Sequence, residues 1–161
     1  MDAESIARLA QAFESMPPVR AMALSPRACD GGRLTVGAPL AANVNDQGCA
    51  FGGSLASAMT LAAWGLVTLK LEDGGMAAEV YVADSRIRYR APLYADLCAE
   101  AWLAEDSDWP AFLAELAARG RAAAETRAAV RLPEGGRAAT MSARFVAVRR
   151  DPGSGQGAGH G

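Results

Sequence analysis

The side chains that most often do acid-base or nucleophilic chemistry are scarce in this sequence. Its single histidine, His160, lies in a glycine-rich run at residues 151–161, which is too flexible to hold a catalytic group in place. A folded part without histidine excludes Ser-His-Asp and Cys-His catalysis and histidine-based metal sites, so we expect neither a metal nor a cofactor. Cys49 is a poor nucleophile because nothing near it in the sequence would favour its thiolate.

The composition is that of a globular protein without a large excess of charge. Sixteen basic and 18 acidic side chains leave a net charge of −2, which does not indicate a nucleic-acid partner. We expect one domain over residues 1–150, followed by a disordered glycine-rich tail over residues 151–161. Three cysteines without a CxxC motif, and a first segment without a signal-peptide pattern, favour the cytoplasm.

Residues 47–69 carry no charge and are numerous enough to cross a bilayer. Glycine, serine and threonine dilute the hydrophobicity of this stretch, and no cluster of Lys or Arg flanks it. We therefore expect no membrane span. The pattern favours a helix over Leu55–Leu71 that is buried on all sides within a soluble fold and ends at Asp73-Gly74-Gly75.

Hydrophobic periodicity predicts the elements that surround this helix. The predicted order is a helix at residues 2–14 that stops before Pro17-Pro18, a hairpin of Val19–Leu24 and Arg33–Leu40, the long helix, strands at Glu79–Arg90 and Leu97–Leu103, a short helix between Asp108 and Gly120, and strands at Arg121–Leu132 and Ala138–Arg149. Propensity favours a helix for the alanine-rich segment Arg121–Leu132. Its charged and apolar residues alternate, however, which is typical of a strand with one buried face.

Six mainly antiparallel strands and one helix that is apolar on every face have few ways to pack together. The simplest arrangement curls the sheet around the helix and gives an α+β fold. This arrangement leaves edge strands that a second subunit can cover, so we expect a homodimer, with a tetramer of two such dimers as an open alternative.

Two segments of the chain resemble a known family. The first runs from Asn45 to Ser54, with the sequence NDQGCAFGGS, and the second from Asp84 to Pro92, with the sequence DSRIRYRAP. The first resembles the signature of hotdog-fold thioesterases, in which an asparagine often precedes His-Gly-Gly by six residues, so that Phe51 takes the histidine position. The form Phe-Gly-Gly-Ser is most similar to thioesterase domains like the C-terminal half of YiiD-type proteins, over about residues 17–149. The resemblance implies a hotdog fold, with the sheet wrapped around a central helix.

The resemblance also implies an activity on acyl groups carried as thioesters of coenzyme A or of a carrier protein. The backbone N–H groups of Gly52 and Gly53 would hold the developing oxyanion at a helix N-terminus, whereas the alternative is a tight turn without a ligand. Many family members carry an Asp or Glu eight residues after the first glycine. Thr60 takes that position here, and a hydroxyl cannot act as the base that a carboxylate provides.

The other candidate residues each have an ordinary structural explanation as well. Asn45 would orient water or the thioester, or would satisfy its own loop. Thr60 would bind water or substrate, or would bond to a carbonyl one turn earlier. Asp46 and Asp84 are the carboxylates nearest to the two segments and are the candidate bases, although Asp84 is also expected to pair with Arg86 or Arg88.

The resemblance places further substrate contacts around these residues. Phe51 and Ser54 flank the glycine pair and are expected to contact substrate. Arg86, Arg88 and Arg90 would meet the phosphates of coenzyme A, or would form a solvated strand face. Two functions therefore remain open, an acyl-thioester hydrolase and a non-catalytic module that binds acyl-CoA. A hotdog hydratase or dehydratase would need an acid-base histidine, which the predicted domain lacks.

Overall fold

A computed structural model of the protein describes residues 3–150, and the expected tail at residues 151–161, with His160, lies outside the described residues. The elements in chain order are α1 (Ala3–Ser15), α2 (Pro17–Ala21), β1 (Ser25–Asp30), β2 (Arg33–Ala38), α3 (Gly52–Asp73), β3 (Ala78–Tyr89), β4 (Leu97–Leu103), α4 (Trp109–Arg119), β5 (Arg121–Arg131) and β6 (Arg137–Arg149).

The six strands form one antiparallel sheet in the order β1-β2-β4-β5-β6-β3. This sheet packs against α3, whose buried residues join those of the strands in one hydrophobic core. The predicted α+β architecture, with a sheet around a long apolar helix, is confirmed. Strands β1 and β3 are the two edges of the sheet, and β3 comes directly after α3.

The central helix begins at Gly52, three residues before the predicted start, and ends at Asp73 with Gly74 as its cap. Its length and hydropathy would suffice to cross a membrane, but 61% of its most apolar 18-residue window is buried inside the protein. That burial agrees with the prediction of a core helix in a folded domain, because an all-round apolar helix has to be enclosed on several sides.

The alternating pattern of the alanine-rich segment correctly predicted strand β5. Ala122, Ala124 and Ala128 point into the core, and the charged residues between them are more exposed. Thr126 belongs to the buried row, and its hydroxyl donates to the carbonyl of Ala143 on β6 at 3.1 Å. Residue types that favour helices thus form a strand here, because packing against α3 outweighs a propensity difference of well under 1 kcal/mol per residue.

The predicted strand Val19–Leu24 is wrong. Residues Pro17–Ala21 form the short helix α2, and the strand of the hairpin begins at Ser25. The two prolines end α1, but they also occupy the first positions of the next helix, where a missing N–H group costs nothing. The predicted hairpin itself is present, because Gly31 and Gly32 form the turn that joins β1 to β2.

The alternating sequence of Glu79–Arg90 predicts one face for Tyr81 and Ile87, but this alternation holds only from Asp84 onwards. A β-bulge between Val82 and Asp84 shifts the pairing with β6 by one residue. Residues directly opposite each other share a face of the sheet. Tyr81 therefore lies with Asp84 and Arg86 on the outer face, which points away from α3, and not with Ile87 on the inner face, which packs against α3. An extra residue of this kind leaves no clear mark in a periodic sequence, so the pattern alone misassigned the first third of the strand.

Candidate active site

The N-terminus of α3 carries two unbound backbone amides. Phe51 is the N-cap residue, and its hydrocarbon side chain makes no capping hydrogen bond. The amides of Ser54 and Leu55 donate to the carbonyl of Phe51 at 2.9 and 3.1 Å. Within residues 3–150, the N–H groups of Gly52 and Gly53 have no hydrogen-bond partner. Free donors at the positive end of a 22-residue helix are suited to hold a developing negative charge.

Two half-exposed aromatic rings flank this glycine pair. A side chain added at Gly52 would lie 3.5 Å from the ring of Tyr89, and one added at Gly53 would collide with the ring of Phe51. The Tyr89 hydroxyl donates to the carbonyl of Gly52 at 3.2 Å, and Tyr89 and Phe51 are 58% and 55% exposed. The sequence did not identify Tyr89, because its position beside α3 depends on how the last residues of β3 meet the helix.

Asn45 organises the loop in front of the helix. Its side-chain oxygen accepts from the amides of Gln47 at 2.9 Å and Cys49 at 3.1 Å, and its amide nitrogen contacts the Cys49 sulfur at 3.3 Å. These contacts support the structural explanation of Asn45, in which the side chain satisfies its own loop. Asp46 lies next to it on the exposed part of the same loop.

Asn43, which the sequence did not single out, anchors this loop to the core. It is 3% exposed, and its side-chain amide donates to the carbonyls of Met22 and Pro39, at 2.8 Å each. Its own carbonyl accepts from the amide of Phe51 at 2.7 Å. Asn43 therefore fixes the residue that caps α3. Its side-chain oxygen is buried without a partner among residues 3–150.

The three arginines predicted to contact substrate, Arg86, Arg88 and Arg90, form part of a pocket on the outer face of the sheet. They line a cavity of about 250 Å³ together with Arg127 on β5 and with Thr140, Met141 and Ser142 on β6. Arg127 and Arg86 face the same residue of β6, Ser142, from opposite sides. The strand order that makes them neighbours could not be read from the sequence. Within residues 3–150, no carboxylate lines this pocket.

The comparisons with known proteins agree with this geometry. Residues 6–149 match the model of the family described as "Putative thioesterase (yiiD_Cterm)". The chain belongs to this family. Among solved structures, the chain is similar to a "putative thioesterase" from Shewanella oneidensis, with 29% identity and a TM-score of 0.82 over 91% of this chain and 99% of that one.

Two further structures extend this comparison. A protein of unknown function from Chlorobaculum tepidum is 27% identical, with a TM-score of 0.83 over 89% of this chain and 94% of that one. A thioesterase from Haemophilus influenzae is 14% identical, with a TM-score of 0.69 over 89% and 90% of the two chains, and at that identity only the fold is shared. The predicted resemblance and the hotdog fold are therefore confirmed.

Thr60 marks where this chain departs from the carboxylate that many hotdog thioesterases carry on the helix. Its hydroxyl points to the sulfur of Met141 at 3.8 Å and not to a carbonyl one turn earlier, in contrast to Ser57, which donates to the carbonyl of Gly53 at 2.8 Å. Eight residues separate Thr60 from Gly52, which is about 12 Å along the helix axis. Thr60 and the free amides of one subunit therefore cannot act on the same carbonyl.

The remaining candidates lie apart from the glycine pair or are buried beside it. Asp84 is on the outer face at the β-bulge, so β3 lies between it and the start of α3. The expected ion pair of Asp84 with Arg86 or Arg88 is not formed within residues 3–150. Ser54 is buried in the first turn of α3. Partial burial raises the pKa of the Cys29 thiol, which disfavours the nucleophilic thiolate there. In the part of the chain that the structure describes, no group of three or more His, Cys, Asp or Glu could hold a metal ion.

Proposed function

We propose that this protein hydrolyses acyl thioesters whose carbonyl oxygen is bound by the N–H groups of Gly52 and Gly53. The observation that carries this proposal is the uncapped start of α3, where two amides without partners among residues 3–150 lie between the rings of Phe51 and Tyr89. The thioesterase family to which the chain belongs supports a thioester as the substrate.

In this reaction water attacks the thioester carbon, the carbonyl oxygen takes up negative charge, and the thiol leaves as the tetrahedral intermediate collapses. Backbone donors aimed at that oxygen lower the barrier because they bind the oxyanion more strongly than the neutral carbonyl. The body of α3 behind the amides is apolar, and an apolar surrounding strengthens such an interaction. Asn45 shapes the loop in front of the amides, and Phe51 and Ser54 border the bound acyl group.

The basic pocket supports a phosphorylated carrier such as coenzyme A. Arg86, Arg88, Arg90 and Arg127 supply guanidinium groups, which bind phosphate oxygens through two parallel hydrogen bonds. The hydroxyls of Thr140 and Ser142 add neutral donors. The protein's net charge is −2, so this concentration of positive charge is local and not a property of the whole surface.

One observation favours a second function, a non-catalytic module that binds acyl-CoA. No carboxylate takes the position of Thr60, and Asp84 lies on the other face of the sheet from the amides. Asp46, on the exposed loop, would then be the remaining base for water. In that function, bound thioesters would not reach the amides and would be released unchanged.

A panel of acyl-CoA esters of increasing chain length, assayed for release of free thiol, tests both functions. Hydrolysis well above the rate without protein, lost in a Gly53→Val variant that melts at the parent's temperature, would support the hydrolase. Calorimetric binding of the same esters without thiol release would support the binding module. Neither binding nor release of any ester would contradict both.

The remaining parts of the proposal are the assembly and the compartment. We expect a cytoplasmic homodimer that meets along a sheet edge, because an unpaired edge strand favours association with another strand. Sedimentation at micromolar concentration measures the assembly, and a monomer there would contradict it.

A further inference from the structure

The two free amides at the start of α3 belong to peptide groups whose carbonyl ends are hydrogen-bonded. In a peptide group, the carbonyl of one residue and the N–H of the next share delocalised electrons. The carbonyl of Phe51 is in one group with the N–H of Gly52, and it accepts from the amides of Ser54 and Leu55 at 2.9 and 3.1 Å. Each bond that this carbonyl accepts draws electrons from the nitrogen, so the N–H of Gly52 becomes a stronger donor.

The next peptide group reaches the same state only with the help of a side chain. The carbonyl of Gly52 is in one group with the N–H of Gly53, and it accepts one bond within the helix, from the amide four residues later. A carbonyl oxygen has two lone pairs, so one remains for a further donor. The hydroxyl of Tyr89 is that donor, at 3.2 Å from the oxygen. The carbonyls of both peptide groups therefore accept two hydrogen bonds each.

The sheet holds Tyr89 where its hydroxyl reaches this carbonyl. Tyr89 is the last residue of β3 and pairs with Ala139 of β6, which is fully buried. Directly after it, the amide of Arg90 donates to the carbonyl of Ala138 at 2.8 Å. The ring lies against Gly52, 3.5 Å from the point where a side chain would begin. The backbone of Tyr89 is therefore fixed relative to α3, although the side chain is 58% exposed.

We propose that Tyr89 is a positioning residue of the oxyanion site, whose hydroxyl polarises the peptide group between Gly52 and Gly53 and strengthens the Gly53 N–H as a donor. The inference rests on the proposed hydrolysis and adds to it a side chain that acts through the backbone. Because the peptide bond is trans, its C=O and N–H point in opposite directions, so the hydroxyl binds at the other end of the group from the oxyanion. Hydroxyl, peptide group and oxyanion thus form one chain of hydrogen bonds, in which each bond reinforces the next.

The strength of a single oxyanion donor sets the size of the expected effect. One such donor contributes about 10²–10³ to kcat, and neighbouring hydrogen bonds in a chain strengthen each other by about 10–30%. A donor weakened by that fraction lowers kcat about two- to eightfold. The difference arises only when the carbonyl oxygen carries charge, so KM should stay unchanged.

Tyr89→Phe tests this role in the reaction, because it removes the hydroxyl and keeps the ring. We expect kcat on one acyl-CoA to fall about two- to eightfold at the parent's KM. Tyr94→Phe is the matched control and should keep the parent's kcat, since Tyr94 lies on the loop after β3, is 66% exposed and makes no hydrogen bond through its hydroxyl within residues 3–150. If Gly53→Ala abolishes hydrolysis but Tyr89→Phe keeps the parent's kcat, the role of Tyr89 is wrong and the proposed hydrolysis stands.

NMR measures the same hydrogen bond without any substrate. In protein labelled with glycine that carries ¹³C at the carbonyl and ¹⁵N at the amide, a carbonyl–nitrogen correlation arises only where one glycine follows another. The sequence contains four such pairs, at residues 31–32, 52–53, 74–75 and 135–136. Tyr89→Phe should move the Gly52 carbon and the Gly53 nitrogen upfield and leave the other three correlations in place. Phenylalanine keeps the aromatic ring, so the shielding by the ring is retained.

The two measurements distinguish a failure of this inference from a failure of the proposed function. A correlation of residues 52–53 that stays in place in Tyr89→Phe would overturn the polarisation, whether or not the protein hydrolyses thioesters. Movement of all four correlations would indicate a general change of structure and would overturn the specific role as well. A parent that releases no thiol would contradict the hydrolase, and the NMR result would still decide whether Tyr89 polarises this peptide group.

Discussion

The sharpest test of the amide site is Gly53→Ala. In a helix the Cα–Cβ bond tilts towards the N-terminus, so the new methyl group projects in front of the free amides. Ideal placement puts this carbon 3.0 Å from Cζ of Phe51 and still closer to Cε1, so the ring has to move. Phe51 is 55% exposed, so its ring can move into solvent at little cost in stability.

The expected effects on stability and on catalysis have opposite signs. Alanine in place of glycine stabilises a helix by up to about 1 kcal/mol, so the free energy of unfolding should stay within about 1 kcal/mol of the parent. Misaligning one oxyanion donor costs about 10²–10³ in kcat, or roughly 3–4 kcal/mol. We therefore expect at least about a hundredfold loss of thiol release in a protein that unfolds at the same urea concentration.

Two further variants separate the possible causes of such a loss. Gly74→Ala makes the same chemical change at the other end of α3, where the added carbon meets a Leu113 methyl group at 3.2 Å, and it should keep full activity. Phe51→Ala/Gly53→Ala removes the ring that the methyl group displaces. If the double variant recovers activity, ring position and not access to the amides governs the rate. A folded Gly53→Ala with kcat/KM within twofold of the parent would refute the oxyanion assignment.

Three other changes address the remaining residues of the site. If residue 60 reaches the reacting carbonyl, Thr60→Asp should raise the rate of hydrolysis about tenfold or more, and Thr60→Ala should lower it by about tenfold at most. If both variants hydrolyse one acyl-CoA at the parent's rate, Thr60 is not part of the site. Asn43→Leu should lower the free energy of unfolding by about 2–3 kcal/mol in urea titrations, because two carbonyls lose their donor, and an unchanged midpoint would contradict the anchoring role. Arg127→Ala should raise KM for acyl-CoA about tenfold but leave KM unchanged for an N-acetylcysteamine thioester, which has no phosphate. Arg121→Ala is the control on the same strand. Equal effects on both substrates would argue against a phosphate site.

The parts of the fold that were predictable are those in which one residue pattern has one physical meaning. The uncharged stretch before Lys70 could only be a core helix or a membrane span, and the alternating charges of β5 required a strand. The helix start at Gly52 lies three residues before the start that the pattern predicted, and only the family resemblance placed the glycine pair at the helix N-terminus. Pro17 was ambiguous, since proline both ends one helix and begins another.

The parts that were not predictable depend on contacts between distant segments. Tyr89 belongs to the site because the end of β3 passes the start of α3, and Arg127 belongs to the basic pocket because β5 and β3 flank β6. Neither relation has a trace in local sequence. The bulge before Asp84 is a different case, because one extra residue changes the face of every residue before it without changing the composition of the strand.

The contributions of the backbone donors and of a general base to the rate indicate how much activity remains in a chain without the helix carboxylate. The amides of Gly52 and Gly53 are backbone groups, so substitutions elsewhere in the chain leave them in place. If each donor contributes about 10²–10³, the pair supplies about 10⁴–10⁶, whereas a missing general base costs about 10²–10⁴. A chain with Thr60 in place of the carboxylate would then remain a slow hydrolase and not become inert. A purely binding module therefore requires a second defect, namely that bound thioesters do not reach the amides. In such a module Gly53→Ala would leave the binding of thioesters unchanged.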